Sequence, residues 1–538
     1  MSWSSTDSVY VAPSTLCQRP GEPATGRKAY RCTSTTNSRS TERHERARLE
    51  TTTSTTDTSP ALSHRRRLAV LATCCMSLFI VGLDSTVVNV ALPTMQRELH
   101  APVSGMQWTI DAYTLVLASL LMLGGSTADR IGRKRIFQTG LVIFLTSSAL
   151  CALAPSLGWL IAFRMLQAIG GSMLNPVAMS IITNTFTDRT ERARAIGIWG
   201  GVVGISQALG PILGGILVGA VSWRAIFWIN VPVALTAVIL TGLLVPESRA
   251  AKPRRFDPVG QLLVILILGS LTFAIIEGSS LGWGSPVIVG CFTLCAVALA
   301  GLLWYEPRRH EPLIEINFFR SVPFSGATLI AISAFAGMGS FLFLTTLYLQ
   351  NLRGMSPLQA GLHTLPMAIM TVIFAPLSGR LVGSRGPRPS LFFAGLALTV
   401  AGILLTLLDA HTPLWQLIIS YLIFGIGFGL VNSPITNTAV SGMPRSQAGV
   451  AAATASTSRQ IGTSLGVAIA GALVTSATVR GPVPSESGWV MIIVYGALVL
   501  GLGVLTTTRW ALATAARTAE RLQEPEVSDL GGGPEAAP

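Results

Sequence analysis

The sequence is poor in charged residues, and above all in lysine. Only 12% of its 538 residues are charged, against roughly 25% in a typical soluble chain, and lysine occurs only at Lys28, Lys134 and Lys252. Half of the residues are hydrophobic. These proportions exclude an ordinary soluble globular protein and predict an integral membrane protein. The net charge of +13 comes from arginine. Because the arginines lie mostly in short segments between apolar runs, they indicate orientation in a bilayer and not nucleic-acid binding.

Motifs for ATP hydrolysis and for catalysis are also missing. No G-x-x-x-x-G-K-[ST] phosphate loop occurs, and none of the three lysines fits one. Six scattered histidines form no H-E-x-x-H motif. The seven cysteines show neither metal spacing nor a disulfide framework. We therefore expect no enzyme, no metal site and no cofactor, with an ion gradient as the energy source.

Long apolar runs dominate what the sequence does contain. Fourteen of them reach the length of about 20 residues that a bilayer-spanning helix needs. Backbone groups in lipid must be satisfied within each segment, which predicts helices and an all-α integral membrane fold. The predicted spans are 68–92, 108–128, 136–154, 159–186, 195–219, 225–245, 259–279, 286–305, 322–350, 357–382, 390–408, 413–440, 448–475 and 489–508.

Basic residues lie almost entirely on alternate connections between these spans. One set of connections carries nearly all of them, including Arg65–Arg67, Arg130–Arg135 and Arg385–Arg388, whereas the other set holds only Arg97, Arg224, Arg353 and Arg480. The positive-inside rule places the first set, and both termini, on the cytoplasmic side of the cytoplasmic membrane. The Ser/Thr-rich residues 1–64 predict a disordered cytoplasmic tail. Residues 511–538 are predicted as a second tail, loose from residue 523.

An internal repeat divides the chain into two similar parts. "GRLVGSRGPR" at Gly379–Arg388 aligns with "GSTADRIGRK" at Gly125–Lys134, at an offset of 254 residues. Gly383 stands where the first copy has Asp129. The repeat predicts a six-helix bundle over 65–245 and a second over 321–510, with two inserted helices and their flanking loops over 246–320. Parallel halves of this kind are a transporter architecture.

Several short motifs lie on the predicted spans and on the connections between them. "GGSTADRIGRKR" lies between the second and third spans, and "LDSTVVNVALP", "RMLQAIGGS" and "GISQALGPILGG" lie in the first, fourth and fifth. "WRAIFWINVP" and "FDPVG" begin the sixth and seventh spans. Together these motifs resemble those of the major facilitator superfamily, including its signature G-x-x-x-D-R-x-G-R-K, and within it the fourteen-helix drug:proton antiporters. The resemblance covers about residues 66–510. It implies proton-driven export of drugs or antibiotics by alternating access. A proton-coupled importer of a small nutrient is the alternative on the same fold.

Asp84 and Arg164 are the predicted proton-coupling residues. Asp84 lies about 24 Å from the basic end of the first span, at ~1.5 Å per residue, and an ionised carboxylate there costs on the order of 3 kcal/mol. A group that is charged or neutral at modest cost suits proton coupling. Arg164 lies at a similar depth in the fourth span, which predicts contact with Asp84, directly or through water or Gln167. The alternatives are a helix-capping or hydrogen-bonded Asp near the membrane surface and an Arg that only binds carbonyl groups.

Two glycine-containing motifs are predicted to act in gating. Small residues permit close helix contact and a proline bends the helix, so Gly210, Pro211, Gly214 and Gly215 suit a moving interface, with plain tight packing as the alternative. The loop between the second and third spans is predicted as a topology anchor and a cytoplasmic latch, in which Asp129 pairs with a nearby arginine or meets the other half. The latch comprises Gly125, Asp129, Arg130, Gly132 and Arg133.

Other polar residues inside the spans carry weaker predictions. A cavity for a small lipophilic substrate is predicted to involve Asn89, Tyr113, Gln167, Asn175, Gln207 and Asn432. Asp111 and Glu277 are placed near the membrane interface, and Arg459 and His363 are interpreted as structural. The substrate and the oligomeric state are left open, as is the choice between self-resistance and general multidrug efflux.

Overall fold

The computed structural model describes residues 63–250, 256–309, 312–441, 443, 448–478 and 486–528. Throughout this described part the regular structure is helical, with no strand. The helices are α1 His64–Leu99, α2 Val103–Ile131, α3 Arg133–Ala152, α4 Leu157–Thr185, α5 Arg189–Ala220, α6 Ala225–Leu244, α7 Pro258–Leu281, α8 Pro286–Tyr305, α9 Val322–Leu347, α10 Pro357–Arg385, α11 Pro387–Thr406, α12 Leu414–Val440, α13 Ala448–Thr478, α14 Glu486–Thr506 and α15 Arg509–Ser528. A π-helical turn, Tyr348–Leu352, extends α9.

The predicted all-α membrane fold is confirmed, and the span count holds approximately. Among the described residues, thirteen helices are long and apolar enough to cross a membrane. The remaining predicted span is α13, which has 31 residues and is richer in Ser, Thr and Gly. Helix α15 follows the last span and continues to Ser528. The prediction that the chain lacks regular structure from residue 523 is therefore wrong for residues 523–528. The tail predicted over 1–64 lies outside the described residues except for Ser63, which caps α1, and His64, which begins it.

Polar caps and prolines define where several helices begin. Asp257 accepts a hydrogen bond from the backbone N–H of Gly260 at the start of α7, and Ser285 and Ser321 cap α8 and α9 in the same way. Ser356 and Gln359 form a reciprocal capping box at the start of α10. In each case a proline occupies the first or second helical position, where its missing N–H costs nothing.

The turn motif of the internal repeat has a glycine with positive φ at the same place in both copies. Gly132 ends α2 with φ of +131°, and Gly386 ends α10 with φ of +78°. A left-handed backbone favours glycine, because it has no Cβ. The repeat seen in sequence therefore corresponds, in each half, to a turn between consecutive helices that passes through a glycine of positive φ.

Helix pairing also repeats along the chain. In the first half, here α1–α6, α1 packs on α5, α2 on α4, and α3 on α4 and α6. In the second half, here α9–α14, α9 packs on α13, α10 on α12, and α11 on α12 and α14. The inserted helices α7 and α8 pack on each other, and α7 also contacts α2 and α13.

The halves meet near one end of the bundle. We call the end that carries the clustered arginines the basic end and the other the opposite end. Near the opposite end, Gln107 Nε2 donates to the carbonyl of Ala468 at 2.8 Å, and Gln350 Nε2 donates to that of Val90 at 2.8 Å. At the basic end of α5, Ile198 is 55% exposed, and a Cβ on Gly201 would meet no atom within 4 Å. In the part of the chain that the structure describes, the side-chain hydrogen bonds between the halves therefore lie toward the opposite end.

Candidate proton-coupling site

Asp84 and Arg164 form a direct ion pair in the interior of the first half. Arg164 Nη1 lies 2.5 Å from Asp84 Oδ2, and the two side chains are 1% and 0% exposed respectively. Helix α1 continues for fifteen residues beyond Asp84, to Leu99. The carboxylate therefore lies well inside the helix, which excludes the alternative of a helix-capping residue near the membrane surface.

Two amides on other helices complete the hydrogen bonding of the carboxylate. Gln167 Nε2, on α4, donates to Asp84 Oδ1 at 3.1 Å. Asn230 Nδ2, on α6, donates to the same oxygen at 3.0 Å and to Ser148 Oγ at 3.1 Å. Both amide side chains are fully buried. The carboxylate thus has donors from two helices besides α1, which fixes its position within the bundle.

The guanidinium of Arg164 is held by further contacts. Its Nε donates to the backbone carbonyl of Thr109 at 3.2 Å, and its Nη1 donates to Gln167 Oε1 at 2.7 Å. Its Cζ lies 4.1 Å from the centroid of the Tyr113 ring, within range of a cation–π interaction. Arg164 therefore binds a helix carbonyl, as the alternative prediction for this residue proposed, and it also pairs with Asp84.

The cluster is a buried charge pair whose members depend on each other. Removing one member of such a pair leaves an uncompensated charge and costs about 3–5 kcal/mol. Protonation of Asp84 also removes one charge of the pair, because it neutralises the carboxylate. Arg164 is then free to move toward other acceptors. The arrangement is suited to converting a protonation event into a shift of α1 relative to α4.

Glycines in α5 allow close packing on both halves. A Cβ on Gly214 would lie 2.9 Å from the carbonyl oxygen of Val87 in α1, and a Cβ on Gly210 would overlap Thr86. A Cβ on Gly215 would lie 2.7 Å from the carbonyl oxygen of Pro357 in α10. The glycines of this motif therefore let α5 pack closely on α1 and, near the opposite end, on α10 of the second half.

The loop between α2 and α3 is bound within the first half. Asp129 Oδ1 accepts hydrogen bonds from Arg133 Nε and Nη2 at 3.0 and 2.8 Å. A Cβ on Gly132 would lie 2.6 Å from a carboxylate oxygen of Glu247, which accepts a hydrogen bond from the backbone N–H of Lys134. Gly125 packs against Pro176. Arg130 is exposed.

Comparison with known proteins agrees with this architecture. The family model of the Major Facilitator Superfamily matches residues 74–467. The chain belongs to the Major Facilitator Superfamily. The multidrug resistance protein Stp of Mycobacterium tuberculosis is 35% identical over 413 residues, 77% of each chain. The tetracenomycin C resistance and export protein of Streptomyces glaucescens is 37% identical over 404 residues, 74% of each chain. The multidrug efflux pump LfrA of Mycolicibacterium smegmatis is 32% identical over 478 residues, 88% of this chain and 94% of LfrA.

Two of the six residues predicted for the substrate cavity of this facilitator lie beside the ion pair. Tyr113 and Gln167 are fully buried against Arg164, which places them with the ion pair. Asn89 is buried in α1 and donates to backbone carbonyls of its own helix. Asn175, Gln207 and Asn432 are half-buried. Contact of these six residues with substrate stays a prediction.

Asp111 lies deeper within α2 than its predicted interfacial placement assumed. Helix α2 begins at Val103, five residues earlier than predicted, so Asp111 is its ninth residue and is fully buried. The added turn is fastened by Gln107, whose amide bonds the carbonyls of Val467 and Ala468. Asp111 Oδ1 accepts a weak hydrogen bond from Thr114 at 3.5 Å.

The other three polar residues singled out in the spans have structural contacts. Glu277 accepts a hydrogen bond from Trp108 Nε1 at 2.9 Å, which ties the inserted α7 to α2. Arg459 Nη2 lies 2.5 Å from Thr436 Oγ1. His363 Nδ1 lies 2.6 Å from the carbonyl oxygen of Gln359, where α10 is interrupted.

Sequence reasoning missed Asn230, Ser148 and the carbonyl of Thr109. Asn230 lies inside "WRAIFWINVP", where an amide among apolar residues was a usable signal. Ser148 gave a weaker signal, because serines in apolar helices commonly bond their own backbone. The carbonyl of Thr109 gave none, because every residue has one.

Proposed function

We propose that this facilitator is a proton-coupled antiporter that exports small lipophilic drugs or antibiotics across the cytoplasmic membrane. The observation that carries the proposal is the buried cluster around Asp84. In this cluster a carboxylate within a membrane-spanning helix has one cationic partner and two amide donors. Intramembrane ionisable groups of this kind mark ion pathways. The names of the relatives, which include resistance and efflux proteins, support drugs or antibiotics as substrates.

Alternating access gives the cluster its role. The halves contact each other near the opposite end, so the arrangement favours access from the basic end, which the positive-inside rule makes cytoplasmic. Substrate enters from that side while Asp84 is ionised and paired with Arg164. Rocking of the halves about the central site then exposes it to the other side, where a proton binds Asp84 as substrate leaves. Return of the protonated carrier delivers the proton to the cytoplasm.

The remaining parts of the proposal follow from this cycle. The proton gradient supplies the energy, with no cofactor and no catalytic reaction. Gly125, Asp129, Arg130, Gly132 and Arg133 act as the cytoplasmic latch, and the glycines and proline of α5 act at the moving interface. Both termini lie in the cytoplasm. The partners are the substrate, protons and the lipid bilayer.

Accumulation of a fluorescent lipophilic cation in whole cells tests the direction of transport. Cells that express the protein should contain less dye than control cells, and an uncoupler should remove the difference. An importer driven by protons gives the reverse, because uncoupling lowers uptake.

In reconstituted vesicles, an imposed pH difference should drive dye movement that Asp84→Asn abolishes. Asp409→Asn makes the same chemical change in an exposed loop and serves as the matched control. Undiminished transport by Asp84→Asn rejects the coupling role.

A further inference from the structure

A cavity of about 290 Å³ lies at the basic end of the second half. It is bordered by the ends of α10, α12 and α14, the starts of α9 and α11, and by α15. Its lining is basic and rich in hydroxyl groups and, as far as the described residues go, contains neither Asp nor Glu. The lining residues are Pro323, Arg385, Pro387, Arg388, Asn437, Thr438, Ser441, Thr506, Thr507 and Leu512.

The equivalent place in the first half is filled by a carboxylate of the chain itself. Under the repeat offset of 254 residues, Gly386 and Arg388 correspond to Gly132 and Lys134. In the first half, Glu247 lies just beyond α6, against Gly132, and accepts a hydrogen bond from the backbone N–H of Lys134. Its other oxygen lies 3.6 Å from Arg135 Nε. The basic turn of the first half therefore has its own anion.

The second half has the basic turn without the anion. Beyond α14 the chain reads Thr507, Thr508 and Arg509, where the first half has Glu247 after α6. Among the described residues, neither Arg385 nor Arg388 has an acidic side chain within ion-pair distance. Thr438 adds a second observation, because its hydroxyl is buried without a hydrogen-bond partner although its side chain borders the cavity.

The surroundings of the cavity indicate the membrane surface. Helix α15 carries Trp510 and Leu512 with 59% and 51% of their surfaces exposed, and Leu512 also lines the cavity. Exposed tryptophan beside arginine is typical of a helix at the boundary between lipid tails and headgroups. These surroundings favour a lipid headgroup as the source of an anion that enters the cavity.

We propose that this cavity binds the phosphate group of an anionic phospholipid. Arg385 and Arg388 supply charge-assisted hydrogen bonds to phosphate oxygens, and Thr438 supplies a neutral donor. Basic pockets between membrane helices on the cytoplasmic side are suited to anionic headgroups. The lipid takes the place that Glu247 holds in the first half and ties the end of α10 to α14 and α15.

Lipid retention by the purified full-length protein tests the proposal. Native mass spectrometry with added phosphatidylglycerol or phosphatidylcholine measures which lipid stays bound. The double variant Arg385→Gln/Arg388→Gln should retain phosphatidylglycerol about 25-fold more weakly, since each arginine near an anionic headgroup contributes roughly a factor of five. Arg249→Gln/Arg320→Gln removes the same charge from exposed positions outside the cavity and should leave retention unchanged. Equal weakening in both double variants overturns the proposal.

Two further measurements separate the outcomes. Thr438→Val keeps the shape of the side chain and removes the unpaired hydroxyl, so it should weaken phosphatidylglycerol retention several-fold and leave the folded state intact. Thermal unfolding with inorganic phosphate distinguishes a lipid from a soluble anion. Stabilisation by phosphatidylglycerol that Arg385→Gln/Arg388→Gln abolishes supports a lipid site. Stabilisation by inorganic phosphate without retention of phosphatidylglycerol overturns it.

Discussion

Asn230 Nδ2 lies 3.0 Å from Asp84 Oδ1 and ties the end of the "WRAIFWIN" segment to the buried ion pair. The same amide nitrogen also donates to Ser148 Oγ on α3. Three helices of the first half therefore meet at one side chain that is itself uncharged. Because the donor is neutral, its removal tests the support of the carboxylate without changing the charge of the cluster.

We expect Asn230→Ala to lower both stability and proton-driven transport. A hydrogen bond to a charged group contributes roughly 1.5–3 kcal/mol, so the variant should unfold at a lower temperature and transport dye more slowly at a given pH difference. Asn317→Ala removes an exposed amide bonded to Glu315 and provides the control. Normal stability together with normal transport would show that Asn230 does not support Asp84.

The ion pair itself predicts non-additive stabilities. Arg164→Gln leaves Asp84 buried without its cation and should destabilise the protein by about 3–5 kcal/mol. Asp84→Asn/Arg164→Gln removes both charges and should recover much of that loss, because no uncompensated charge remains. Neither variant should couple transport to protons. Thermal unfolding of the single and double variants in one detergent measures the recovery, and strictly additive losses would contradict the pairing.

How far the sequence predicted the site depends on the range of each interaction. Hydropathy located the spans and the repeat located the two turns, because both signals are local. Asp84 and Arg164 were found because charges inside apolar segments are rare and costly. The start of α2 was placed too late, since Gln107 gains its bonds only from α13 on the other half. Partners such as Ser148 depend on packing between distant segments, which one sequence does not show.

We expect substitution of Asp129 to reduce transport without reducing the amount of protein in the membrane. In this structure its carboxylate bonds Arg133 on the same turn, and an exposed or partly exposed pair of this kind contributes little to stability. Asp129→Asn should therefore insert and accumulate normally while export falls, because the latch loses its charge in the alternate state. Export assays normalised to membrane abundance check this, and Asp188→Asn supplies a control at the cap of α5. Full export by Asp129→Asn would leave the loop with the anchor role alone.

We expect substitution of Gly215 to shift the equilibrium between the two access states. A Cβ at this position would lie 2.7 Å from the carbonyl oxygen of Pro357 and 2.8 Å from Cα of Leu358. Both are backbone atoms that cannot rotate away. Gly215→Val should therefore oppose closure at the opposite end by about 1–3 kcal/mol, which shifts the equilibrium roughly 5- to 150-fold. Transport should fall while the helices stay folded.

Hydrogen–deuterium exchange measures this shift directly. In Gly215→Val, backbone exchange should rise in residues 88–99 of α1 and 357–363 of α10, since both segments pack at the opposite end. Gly219→Val lies on the same helix where a Cβ meets no atom within 4 Å, and its exchange in these segments should match that of the unmodified protein. If both variants exchange alike and transport alike, Gly215 contributes packing only, and the seal between the halves must be sought at Gln107 and Gln350.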